Sequence, residues 1–135
     1  MKYNLSFLQP NEYSLVSELA EEVNLEEKID FNCNFLCAKN GVPEKIIGVA
    51  GINLQKSYPQ IEHIIVGKEH QKTSLAYLLM IELEKFLKLR GYKEYVAYIL
   101  NSNERMIRYA KKFGFKPYAN RDNAKWYYKT LLKER

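Results

Sequence analysis

Between residues 67 and 76 the chain reads Gly-Lys-Glu-His-Gln-Lys-Thr-Ser-Leu-Ala, a polar turn that gathers Lys68, His70, Lys72, Thr73 and Ser74. What such a turn can do depends on its flanks. Residues 61–66 before it are apolar and β-branched, as a strand buried on both faces requires. After it Leu75, Leu78, Leu79, Leu83, Phe86 and Leu87 recur at intervals of three and four, which is one face of a helix. Gly91 is placed to cap that helix. A strand, a short turn and a long helix bring unpaired backbone N–H groups to the positive end of a helix dipole, and such a place binds anions. The competing reading is a plain strand–helix unit with a solvated turn.

The rest of the composition bounds what the turn can serve. At 135 residues the chain is expected to form one domain, spanning residues 1–135, with room for a core. Its longest apolar run, residues 46–54, holds two glycines and an asparagine and is too short to span a membrane. The opening Met-Lys-Tyr-Asn-Leu lacks the apolar core of an export signal. Cys33 and Cys37 would share a face of one strand but lie too far apart to bridge. Two unpaired thiols and no export signal predict a reducing, cytoplasmic setting, and the thiols lack the spacing and partners of a zinc site, so no metal is expected. The net charge of +5 suits an anionic partner, a phosphate-bearing cofactor or a nucleic acid, or merely serves solubility.

The elements that position the turn follow in order. Residues 2–8 alternate as a first strand, and Pro10 and Asn11 open a helix. Leu15, Val16, Leu19, Ala20 and Val23 form its apolar face, with glutamates off it. Residues 24–31 read as a second short helix, residues 31–39 as a strand and residues 40–44 as a turn. Residues 46–55 make a strong strand in which Gly48 and Gly51 invite a bulge or a close backbone approach. Beyond Gly91 come a strand at residues 94–100, a helix at 103–112 ended by Gly114, and strands at 115–118 and 124–131. The order βα(α)βββαβαββ predicts an α/β (α+β) fold: a mixed sheet of about six to seven strands with helices on both faces.

With the elements in this order, two blocks carry a family resemblance. Gln71-Lys72-Thr73-Ser74-Leu75-Ala76 resembles, at Gln71 and Ala76, the Gln/Arg-x-x-Gly-x-Gly/Ala turn of the GNAT superfamily of acyl-CoA-dependent N-acyltransferases. The stretch from Asn103 to Phe115 resembles the family's Asn-x-x-Ala-x-x-x-Tyr-x-Lys-x-Gly-Phe at Asn103, Lys112, Gly114 and Phe115. The similarity covers nearly the whole chain. It implies a GNAT-like fold and direct acetyl transfer from acetyl-CoA, as co-substrate, to an amine acceptor that the sequence does not name. It also implies that the turn from Gln71 to Ala76 cradles the coenzyme A pyrophosphate. The main chain of the preceding strand, at Ile64, Ile65 and Val66, would then meet the acyl-CoA, with Asn103 completing the cofactor site.

Two departures bear on chemistry. Ser74 stands where the family usually has glycine; it adds a Cβ but brings a hydroxyl that can donate to phosphate. Ala110 stands where many members carry the tyrosine that protonates the leaving thiolate. Tyr109 is adjacent, about 100° around the helix, at the edge of a core stripe of Met106, Ala110 and Phe113; it is either a packing residue or a shifted acid. For the base that neutralises the amine the candidates are Glu62 and His63, on opposite faces of one strand, so that at most one is expected in a given cleft; a water chain is the alternative. His70 suits the phosphate side. Arg105, Arg108, Lys111 and Lys112 make the last helix basic. Trp126, Tyr127 and Tyr128 are expected on an edge strand that lines the acceptor pocket, forms a homodimer contact or packs the core. The rival functions are a non-catalytic acetyl-CoA-binding module and, from the basic charge and the tyrosines, a nucleic-acid-binding domain, which lacks a recognisable motif.

Overall fold

A computed structural model describes residues 3–25, 28–41, 45–71 and 73–131. Lys72 of the expected phosphate turn therefore lies outside the described residues, as do Lys2, Glu26, Glu27, Val42, Pro43 and Glu44. The elements are β1 (Asn4–Phe7), a 3-10 turn (Pro10–Glu12), α1 (Ser14–Glu22), β2 (Asn34–Asn40), β3 (Lys45–Asn53), β4 (Gln60–Val66), a second 3-10 turn (Lys68–His70), α2 (Leu75–Leu89), β5 (Glu94–Leu100), α3 (Glu104–Lys112), β6 (Lys116–Asn120) and β7 (Ala124–Thr130). They form one seven-stranded mixed sheet in the order β1-β2-β3-β4-β5-β7-β6. Every neighbouring pair is antiparallel except β4 and β5.

Alternation along the strands feeds two cores. Leu36, Ala38, Ala50 and Ile52 meet Leu75, Leu79, Met80, Leu83 and Leu87 of α2, joined by Ala110 and Phe113 at α3. Phe35, Cys37, Val49 and Ile65 point the other way, against Val16, Leu19 and Ala20 of α1. Helices thus cover both faces, and each buried leucine contributes about 2 kcal/mol relative to exposure. The glycines of β3 serve close approach and a bulge. A Cβ on Gly51 would sit 2.9 Å from the Phe35 ring and one on Gly48 3.0 Å from Leu75, and the register slips between Gly51 and Ile52.

Three expectations are corrected. No second helix appears at the described residues of 24–31; Asn24 turns left-handed at φ 54° instead, a conformation asparagine tolerates. β2 begins at Asn34 rather than residue 31, because the Asp30 carboxylate accepts the Asn32 N–H at 2.9 Å and holds a turn there. Trp126, Tyr127 and Tyr128 are not on an edge: β7 lies between β5 and β6, and β6 is the edge. Short local patterns carry no information about which strand inserts between two others.

One buried ionic cluster ties the C-terminal strands to α2. The carboxylate of Glu84, 7 % exposed, accepts the Tyr95 hydroxyl at 2.5 Å and the Lys129 ammonium at 2.7 Å. Lys129 Nζ also lies 3.9 Å from the centroid of Phe113, a cation–π contact. Burial and the neighbouring carboxylate push the Tyr95 phenol far above its ordinary range, so it stays a donor. Lys129→Met keeps the stem and removes the charge, and it should lower stability in urea titrations by about 3 kcal/mol, because the carboxylate is left buried without its counter-ion. Adding Glu84→Gln should recover part of that loss; a single variant as stable as the parent would show that the pair is idle.

Candidate functional site

β4 is held differently on its two sides. Against β3 it pairs along its length, from Gln60↔Asn53 to Val66↔Gly48, whereas against β5 it pairs only at Gln60↔Val96 and Ile61↔Ala97. β5 meanwhile pairs with β7 over all of Glu94–Leu100. At the point of parting Glu62 is the extra residue of a bulge, since Ile61 faces Ile52 and His63 faces Gly51. Bulges bend a strand and re-aim its side chains. The strands therefore separate into a cleft of about 680 Å³.

The cleft reaches through the sheet. Ile61, Glu62, His63 and Ile64 form one wall and Ala97 to Leu100 the other; Val23, Asn24 and Leu25 close the α1 side, and Asn103, Met106 and Ala110 the α3 side. Both expected base candidates thus border one cleft: the bulge at Glu62 interrupts the alternation that set them on opposite faces, and an interrupted alternation is not visible in the sequence of one strand. Glu62 is half-buried there. His63 is 4 % exposed, and its Nε2 accepts the Asp30 N–H at 2.9 Å.

The turn beyond β4 is built from its own hydrogen bonds. The Gly67 N–H donates to Ile47 O at 2.8 Å, and the Gln71 side-chain amide donates to Val66 O at 3.1 Å. Thr73 is the working cap: its hydroxyl donates to His70 O at 2.6 Å and accepts the Leu75 N–H at 3.2 Å. Ser74 has φ −82° and ψ 10° and makes no side-chain cap bond. Serine therefore sits there without the left-handed strain that would call for glycine. Among the described residues nothing accepts from the N–H groups of Ser74, Ala76 and Tyr77, and the Ser74 hydroxyl is exposed beside them. With the dipole of the fifteen-residue α2 behind it, the arrangement suits an anion. The side chains of Leu75, Ile65 and Val66 go to the cores, so only their main chain is available to a ligand, whereas Ile64 lines the cleft. Asn103 caps α3 by accepting the Met106 N–H at 3.2 Å and also lines the cleft.

Tyr109 is not brought to Glu62 and His63. Its ring stacks on Phe113 with centroids 6.1 Å apart, its hydroxyl is buried with no partner among the described residues, and Ala110 takes the place on the cleft wall. Burial, with Tyr77 and Glu84 nearby, pushes the Tyr109 phenol well above its ordinary range. Of hydroxyls, the cleft instead offers Tyr98 and Ser102. Sequence reasoning missed both, although for Tyr98 the side of β5 that alternates away from Tyr95, Ala97 and Ile99 was available as a signal. Tyr98 packs on Trp126 with centroids 4.9 Å apart, on a face of β5 and β7 that no helix covers among the described residues. Burial pushes the Cys33 thiol up to about 12 and raises Cys37 as well, so neither is a nucleophile at neutral pH.

Comparisons with known proteins bear on this arrangement. A sequence model described as the acetyltransferase (GNAT) family matches residues 3–115. Among curated proteins none matches the chain. Several solved structures superpose on it: Ard1 from Thermoplasma volcanium (14 % identity, 98 % of this chain and 100 % of that one, TM-score 0.81) and the PaiA N-acetyltransferase from Thermoplasma acidophilum in complex with coenzyme A (16 %, 96 % and 99 %, 0.79). A third is YncA from Salmonella typhimurium with its cofactor acetyl-CoA (15 %, 100 % and 97 %, 0.74). At these identities the likeness establishes the fold alone.

The orphaned phenol carries a direct expectation. Tyr109→Phe deletes a buried donor that has no acceptor among the described residues, so thermal and urea unfolding should show unchanged or slightly higher stability, by up to about 1 kcal/mol. A loss of about 2 kcal/mol would reveal a partner for that hydroxyl.

Proposed function

The chain belongs to the acetyltransferase (GNAT) family, and from that premise we propose that it transfers an acetyl group from acetyl-CoA directly to a primary amine. The observation that carries this reading is the parting of β4 from β5 next to a helix start with unpaired amides. The cradle of Ser74, Ala76 and Tyr77 suits a pyrophosphate, and the Ser74 hydroxyl takes over part of what a bare glycine main chain would offer. The basic α3, with Arg105, Arg108, Lys111 and Lys112, stands by for further phosphate charge.

Acetyl-CoA supplies the activated acyl carbon; the chain supplies orientation, proton transfer and a dry slot. In the cleft the Glu62 carboxylate takes a proton from the acceptor ammonium, directly or through one water, leaving the amine lone pair free to attack the thioester carbonyl. Fixed main-chain donors of β4 suit the carbonyl oxygen as charge develops. The departing thiolate finds the methyl of Ala110 rather than a phenol, so its proton comes from water, Ser102 or Tyr98. Buried, raised-pKa thiols leave no cysteine for a covalent acyl intermediate, which favours direct transfer.

A second reading draws on the same Ala110 and on the withdrawn Tyr109: the chain binds acetyl-CoA without turning it over. Calorimetric titration separates these readings from a degenerate fold. Micromolar binding of acetyl-CoA in preference to ATP is expected, unchanged within a few-fold in Ser74→Gly and abolished in Ser74→Glu by like-charge repulsion. Absence of binding at millimolar ligand would end both readings.

For turnover, Glu62→Gln should lower kcat by about 10²–10⁴-fold and remove the acid limb of the pH–rate profile, while Tyr109→Phe leaves kcat within about tenfold of the parent. An unchanged Glu62→Gln profile would pass the proton to a water chain, and binding without turnover across a wide amine panel would favour the second reading.

A further inference from the structure

His63 is nearly as buried as any residue in the core, yet it borders the cleft and holds a main-chain N–H of a segment far away in sequence. We propose that His63 is a positioning residue rather than the base, one that fixes Asp30 and with it the α1-side wall of the cleft. The inference rests on the acyl-transfer reading above for its bearing on the acceptor side, and on the hydrogen bond alone for the rest.

Asp30 N–H donates to His63 Nε2 at 2.9 Å, so that nitrogen carries a lone pair and the ring proton sits on Nδ1. To take a proton from an amine through Nε2, the ring would have to release Asp30. Asp30 is held on three sides at once. Its carboxylate accepts the Asn32 N–H at 2.9 Å and the Asn53 side-chain amide at 3.2 Å, and Asn53, 3 % exposed on β3, accepts the Gln55 N–H at 2.9 Å. These bonds and the nearby imidazole hold the Asp30 carboxyl below its usual range, so it stays an ionised acceptor. β4 and β3 thereby grip the irregular chain before β2. Ile29, next to Asp30, packs on the same core as Leu25 and Val23, and Val23, Asn24 and Leu25 are the α1-side wall. The His63 ring is itself kept in place by Phe35, centroids 6.4 Å apart and nearly parallel.

The grip needs an acceptor at this position, because Asp30 brings an N–H. Glutamine at position 63, whose Oε1 accepts, should keep Asp30 and the wall in place; alanine, which offers no acceptor, should not.

Amide hydrogen exchange on the whole chain at neutral pH reads this directly, expressed as protection relative to the free peptide. His63→Ala should lose at least tenfold of the parent's protection at Asp30, with Asn24 and Leu25 following, and His63→Gln should keep it. Acetyl-CoA affinity, measured in parallel, should be the same in all three. Equal Asp30 protection in the Ala and Gln variants would overturn the proposal. A parent that binds no acetyl-CoA but shows the expected exchange pattern would instead sink the acyl-transfer reading and leave the grip standing.

Discussion

The geometry of the molecule turns on the competing demands placed on one strand. β4 pairs along its length with β3 and only at two positions with β5, while β5 is claimed along its whole length by β7. A sheet satisfied at every position would have no interior opening. Two antiparallel blocks joined at a short parallel seam must diverge once each follows its own twist, and the bulge at Glu62 adds the bend that starts the divergence. The polar residues of the cleft owe their accessibility to this incomplete join. α2 follows β4 through a tight turn, so its free amides arrive beside the opening for the same reason.

How much of this could be read beforehand divides along a physical line. Periodicity located α2 to within a residue at each end, because its apolar face meets a core dense enough to enforce the pattern. The glycines at 48 and 51 announced crowding, and crowding is there. What depended on distant partners was hidden. The interior place of β7 comes from the crossover that inserts it beside β5, and residues 28–33 are shaped by Asp30, whose partners His63 and Asn53 come from other strands. The cleft itself is a missing set of strand pairs, and no residue type marks an absence.

The site shows the same division. Ser74 stood out as a departure from a glycine turn, since only the backbone angle of −82° shows that glycine's freedom is not needed there. Tyr109 and Ala110 could be placed around a helix by counting, and the count was right: the alanine faces the cleft and the tyrosine is tucked beside Phe113. Glu62 and His63 were assigned to opposite faces by alternation, but the bulge at Glu62 interrupts that alternation, and both border the gap. Tyr98 and Ser102 went unnoticed because each lies outside both motif blocks.

The ionic cluster at Glu84 has a consequence for how the chain is assembled. Translation delivers α2 long before β7, so a nascent chain holding everything up to Phe115, where the match to the family model ends, carries Glu84 without its ammonium. Sealing α2 onto the sheet at that stage would strand a carboxylate in an apolar environment, at a cost of several kcal/mol. The helix therefore gains its full hold only when β7 arrives. A chain cut before Lys129 loses that hold through electrostatics as much as through missing surface.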